Sequence, residues 1–183
     1  MTRRNRSRKP SSFVTAILVV LAAVVILFAA AKMAKAATFR HDGPAVLNDL
    51  AVTPGATGTM TRAQLCDPNF HTGTVRYVSE AMKRQVCAAY GIARADCTGK
   101  KYEIDHLISL ELGGSNDLKN LWPQPYFPKP GAKEKDTVEN WLHRQVCAKV
   151  NPMPLADAQH AISTDWYQIY IKINIPVSKV TAK

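Results

Sequence analysis

The sequence predicts an α+β fold: two short strands and a following helix at the centre, flanking helices packed around them, and an N-terminal transmembrane helix. Three observations predict it. Residues 102–124, YEIDHLISLELGGSNDLKNLWPQ, carry two short β-favouring stretches on either side of a Gly-Gly-Ser-Asn turn. Residues 133–145, KEKDTVENWLHRQ, repeat apolar residues at helical spacing. Phe13 to Ala31 runs nineteen residues without a charge.

Taken in order, residues 1–12 form a basic tail, because Met1 to Pro10 holds five cations and no anion. Residues 13–31 would be about 28 Å long as a helix, enough to span a bilayer core. Positive charge on the N-terminal flank keeps that end in the cytoplasm and sends everything after Lys32 outside. The expected location is therefore the cell membrane, single-pass, with the C-terminal domain periplasmic or extracellular. The alternative is secretion after signal cleavage, for which Ala34-Lys35-Ala36 offers small residues in the A-x-A pattern. Residues 32–64 are expected to be a linker: from Thr38 to Gln64 the chain is rich in Ala, Gly, Thr and Pro, with at most a short helix over Ala45 to Leu50.

The folded domain is expected over 65–175, with a tail at 176–183. Tyr77 to Tyr90 reads as a helix carrying Val78, Met82, Val86 and Ala89 at helical spacing and ended by Gly91. Tyr102 to Leu107 and a short piece at Leu121-Trp122 form the strand pair, and Pro123, Pro125, Pro128 and Pro130 are expected to stop it. A helix over Lys133 to Val150 follows, with Val138, Trp141, Leu142 and Val146 on its apolar stripe, and Pro152 and Pro154 end it. Leu155 to Tyr170 reads as a covering helix with Leu155, Ala158, Ile162, Trp166 and Ile169 on one face.

Charge bears on partners only once it is divided. Seven of the 24 Lys and Arg residues precede residue 40 and all 14 acids follow it, so the exported part carries 17 − 14 = +3. That balance permits nucleic acid without arguing for it. All four cysteines, Cys66, Cys87, Cys97 and Cys147, lie on the exported side, where an even count suits two disulfides. Pairing Cys87 with Cys97 would close a helix onto its following loop and leave Cys66 for Cys147. Free buried thiols or zinc ligands are the other readings, and no two cysteines have zinc-ligand spacing.

The chemistry-bearing residues cluster in the central stretch. Asp105 offers a hard oxygen to a divalent cation, and His106 offers an imidazole able to take a proton from water near neutral pH. Asn120, fourteen residues after His106, stands where an amide could reach back to the ring. At 100° per residue, Asp136, Glu139, Asn140 and His143 gather on the polar stripe of the following helix. An Asp-His pair alone is weak; its conjunction with the turn, with Asn120-Leu121-Trp122 and with that polar face is the signal. Glu103 shares a strand face with Asp105, as an outer carboxylate or an edge-strand charge.

This stretch resembles the HNH, or ββα-metal, endonuclease superfamily. A wider similarity, from about Thr53 to Tyr170, is to small exported bacterial HNH-like proteins that share DHLISLELGG, NLWPQ and KDxxEN. The resemblance implies a metal-dependent endonuclease hydrolysing DNA phosphodiesters with low sequence specificity outside the cytoplasmic membrane. In it Asp105 is a metal ligand, His106 the general base, and Asn120 the residue that holds the strands and orients the histidine. The family's later His or Asn ligand is missing, since position 129 is lysine. Asp136 is the first candidate to replace it, and Glu139 or Asn140 the second. Arg76 and His143 are the substrate-binding candidates, Arg76 because a guanidinium grips phosphate bidentately.

The implied cofactor is a divalent metal, Mg²⁺ or Mn²⁺. The implied partners are nucleic acid, DNA ahead of RNA, and the membrane through residues 13–31; the oligomeric state is left open. The rival readings are a membrane-tethered, disulfide-stapled binding module with a non-catalytic HNH fold, and an RNase.

Overall fold

A computed structural model describes residues 36–174. The apolar run at 13–31 and the tail at 176–183 lie outside the described residues. Among those described, no helix is long and apolar enough to cross a membrane. The fold is mixed α+β.

Strands β1 (Arg40–Asp42) and β2 (Ala45–Leu47) form an antiparallel hairpin, and helix α1 (Arg62–Leu65) follows. Helix α2 (Glu80–Ala89) starts where the Ser79 hydroxyl accepts the Met82 N–H at 3.2 Å. Strands β3 (Tyr102–His106) and β4 (Leu121–Pro125) pair antiparallel in the register Asp105 to Trp122 and His106 to Leu121. Helices α3 (Ala132–Val146) and α4 (Leu155–Asn174) complete the chain.

Residues 36–64 are not a linker, and Ala45 to Leu47 is a strand rather than a helix. Ala45 and Leu47 are buried in the main core, and Asn48 and Thr53 are buried with them. Phe39 packs against Tyr90 and Trp122 at ring-centroid separations of 5.0 and 6.4 Å. The segment looked unstructured because its core contribution rests on few, small apolar residues, and neighbouring elements bury them.

The prolines also behave differently from expectation. β4 runs through Pro123 and Pro125, which stand opposite Ile104 and Tyr102. The ladder explains this, since Leu107 N–H donates to Asn120 O at 2.8 Å and Tyr126 N–H to Lys101 O at 3.1 Å. Alternate β4 residues therefore carry the cross-strand bonds, and the prolines fall at the positions between them, where no donor is needed.

The main core joins α3, α4, the hairpin and a 3₁₀ turn at Leu110–Leu112. Val138, Leu142 and Val146 of α3 meet Ala158, Ile162 and Trp166 of α4. α4 is broken at Asp165, whose φ of −162° is not helical. The Asp165 carboxylate accepts the N–H groups of Tyr167 and Gln168 at 3.0 and 3.2 Å, so it caps the second half as a new helix. A smaller cluster of Tyr90, Leu107 and Trp122 backs the strand pair. Two disulfides close the unit: Cys66–Cys147, across 81 residues of sequence, and Cys87–Cys97, across 10.

Candidate metal and hydrolysis centre

The loop between β3 and β4 is built around one asparagine. Asn120 is fully buried; its Nδ2 donates to Ile108 O and Ser115 O at 3.0 and 2.8 Å, and its Oδ1 accepts Ile108 N–H at 2.9 Å and Ala56 N–H at 3.3 Å. Every valence of the amide is spent on backbone, which fixes the Leu110–Leu112 turn and the Gly113-Gly114-Ser115 return against the strand ends. Gly114 is needed there, because a Cβ at that position would run into the Ile108 carbonyl.

Asn120 therefore does not orient His106. Asn116 does: its Oδ1 lies 3.0 Å from His106 Nε2. The amide's own orientation is set by two backbone bonds, Tyr77 N–H to Oδ1 at 3.0 Å and Nδ2 to Val75 O at 2.8 Å. Oδ1 can only accept, so Nε2 of His106 carries the proton and Nδ1 holds the free lone pair. Nδ1 is buried and has no protein partner. Burial holds the ring below its ordinary pKa, against the pull of Asn116 and Asp105 upward, while Arg76 and Lys135 add to the lowering. The result is a neutral imidazole with one bare nitrogen, the form a base requires.

Asp105, next in the strand, faces α3. Its Oδ2 accepts from Lys135 Nζ at 2.7 Å, and Lys135 also donates to His106 O at 2.9 Å and to Glu139 Oε1. All three ammonium protons are thus used, and the lysine is fully buried. Burial alone would discharge Lys135, but Asp105 and Glu139 hold its pKa above the ordinary lysine value. Burial pushes the Glu139 carboxyl upward against the pull of Lys135, with Asp105 repulsion adding to the rise.

Asp105, His106, Arg76, Glu111, Asp136, Glu139 and Asn140 line one cleft of about 200 Å³. Asp136 sits on its rim, 3.3 Å from Lys133 Nζ, and Asn140 Nδ2 donates to Asp136 O at 2.7 Å. His143 is not part of the cleft: one turn further along α3, it lies 3.1 Å from Leu65 O and 3.4 Å from Cys147 Sγ. It is therefore not placed to touch a substrate at His106. Glu103 pairs with Lys133 at 3.3 Å, as an edge-strand charge does.

Glu111 is a cleft carboxylate that sequence reasoning missed. Its Oε1 is buried without a hydrogen-bond partner, and burial raises its pKa. Sequence periodicity gives no handle on it, because it lies in a 3₁₀ turn whose direction is set by Asn120; only its place five residues after His106 hints at proximity.

The cleft's donors are carboxylate and amide oxygens, which suit a hard divalent cation, and the orphaned Glu111 oxygen is an acceptor in want of positive charge. Asp105 and Glu139 each give one oxygen to Lys135, leaving the other for a ligand role. The one group of three His, Cys, Asp or Glu among the described residues with ligand atoms within 4.8 Å of one another is Cys66, His143 and Cys147, which could hold a metal ion. Its sulfurs are joined as a disulfide, and a disulfide lacks the thiolates that bind metal. In the cleft, by contrast, an ion would be held by one or two carboxylates and water, the habit of Mg²⁺.

Comparison with protein-family models, with curated proteins and with solved structures finds no match to this chain. The site is defined by its own geometry.

Proposed function

We propose that the chain is a metal-assisted phosphodiesterase that cuts nucleic acid, DNA in the first instance, in the manner of the HNH superfamily it resembles. The observation that carries this reading is His106: a buried imidazole with Nε2 clamped by Asn116 and Nδ1 bare, in a cleft lined by carboxylates. A divalent cation held by Asp105 and Glu111 would supply stabilisation of the charge that develops on the leaving oxygen. His106 Nδ1 takes the proton of the attacking water. Asn116 holds the tautomer in which that nitrogen is free. Lys135 locks Asp105 and the His106 carbonyl to α3, so base and carboxylate keep a fixed spacing. Arg76, exposed at the cleft wall, grips a phosphate oxygen. Contacts to the sugar-phosphate backbone carry little sequence information, which accords with low specificity.

The two disulfides support placing the domain outside the cytoplasmic membrane, where thiols oxidise. One observation favours the rival reading, a binding module without catalysis: the Lys135 ammonium already pairs with Asp105, a carboxylate that a cation would use, and with the neighbouring Glu139. Cleavage of supercoiled plasmid by the oxidised protein, with added Mg²⁺ or Mn²⁺ and then with chelator, separates the two. Metal-dependent nicking supports the hydrolase, and inertness with every metal leaves only the binding module.

A further inference from the structure

A second hollow adjoins the His106 cleft. It encloses about 720 Å³ between α2, the loop that follows it, and the β3–β4 pair. Arg76 belongs to the walls of both, so the two spaces are neighbours across that residue.

The charges of the hollow do not balance. Of its two acids, Glu80 pairs with Lys83 at 2.7 Å and Glu103 with Lys133 at 3.3 Å. Arg76, Arg84 and Arg94 are exposed and make no ion pair or side-chain hydrogen bond among the described residues. Three unpaired guanidiniums around one concavity repel each other and create a field that an anionic ligand relieves. Guanidinium in particular suits phosphate, which it can bond bidentately.

Aromatic rings accompany the cations. Tyr102 and Tyr126 line the hollow, and Tyr77, the residue after Arg76, is 74 % exposed. The Tyr77 backbone is tied to the site, because its N–H donates to the same Asn116 that holds His106. Cations that follow a backbone beside rings on which bases stack are how proteins hold single strands. The Cys87–Cys97 bridge ties the loop carrying Arg94 to the helix carrying Lys83 and Arg84, so it holds the two walls together.

We propose that this hollow is a binding track for a single-stranded nucleic-acid segment, with Arg76, Arg84 and Arg94 on its phosphates and its end leading into the His106 cleft. The proposal rests on the hydrolytic reading for its direction, and binding tests it separately.

The test uses the full-length chain in detergent, with chelator present so that nothing is cut. Fluorescence anisotropy reads its affinity for a short labelled oligodeoxynucleotide and for the matching duplex over a salt series. Arg84→Glu with Arg94→Glu should lower single-strand affinity at least tenfold. It should also reduce the slope of log affinity against log salt by about 1.4, two phosphates at roughly 0.7 each. Arg84→Gln with Arg94→Gln should give a smaller loss in the same direction, and the melting temperature should stay unchanged because both side chains are exposed. Unchanged affinity in the reversed variant overturns the proposal. So does tighter binding to the duplex, or equal affinity for heparin, which would reduce the hollow to a general polyanion patch. Loss of binding in the reversed variant, with no cleavage by the parent under any metal, keeps the track and removes the hydrolase. Cleavage abolished by His106→Ala, with binding untouched by the arginine reversals, keeps the hydrolase and removes the track.

Discussion

At the scale of single residues, the divergence between Asn116 and Asn120 is instructive. Both flank the same turn, and resemblance assigned the histidine's support to Asn120. The amide that touches the ring belongs to Asn116, while Asn120 is consumed by backbone. Asn116→Ala should therefore lower kcat with KM little changed, since it frees a positioning contact and touches no substrate. Its pH profile offers a readout that general damage would not move. The active ring is neutral, so activity is full above the folded pKa and is lost as pH falls through it, below the ordinary value of 6.5. The Asn116 bond favours the charged ring, so its removal should move the acid limb to lower pH. A limb that stays in place, or moves to higher pH, contradicts the positioning role. Lys135→Met leaves Asp105 and Glu139 without their counter-charge and should cost about 3–5 kcal/mol of stability, as breaking a buried pair does. A chemical denaturation curve checks it, and an unchanged midpoint would show that the ammonium is dispensable.

At the scale of elements, helices were the legible part. Side-chain periodicity located α3 because it buries one stripe against the core, and α3 differs at its end, stopping at Val146 instead of Val150. α2 was located with a less accurate stripe: of Val78, Met82, Val86 and Ala89 only Val86 is buried, Ala89 is exposed, and Val78 precedes the helix. The hairpin β1–β2 was illegible, since a polar strand of three residues paired with an apolar one of three carries too little pattern, and the burial comes from partners distant in sequence. The prolines of β4 misled because the rule that proline ends a strand presumes ladder bonds at every position. The disulfides differ in reach. Cys66–Cys147 closes a loop of 81 residues and should contribute about 4–5 kcal/mol by chain entropy, whereas Cys87–Cys97 closes 10 and should contribute about 2.7 kcal/mol. Paired serine variants, Cys66→Ser with Cys147→Ser and Cys87→Ser with Cys97→Ser, should rank in that order in thermal melting. The reverse order would show that strain or residual structure outweighs loop length.

At the scale of the molecule, the candidate cleft was legible to the extent that it is written in one contiguous stretch. Asp105 and His106 are adjacent in sequence and face one cleft; Asp136, Glu139 and Asn140 reach it because α3 packs across the strand pair. Glu111 and the Lys135 ion pair were not legible, because each depends on how a turn and a helix are brought together by tertiary packing. His143 was misplaced for a related reason: the polar stripe of α3 is longer than the cleft, and its last turn serves the Cys66–Cys147 end. The central claim is that His106 is the base of a hydrolytic site. Nicking of supercoiled plasmid by the oxidised full-length protein in Mg²⁺ or Mn²⁺, compared with His106→Ala, tests it most directly. The account predicts that the parent nicks, that chelator stops it, and that the variant is slower by about 10² to 10⁴ with its melting transition retained. Equal nicking by parent and variant, or none by the parent with any divalent metal, would contradict it.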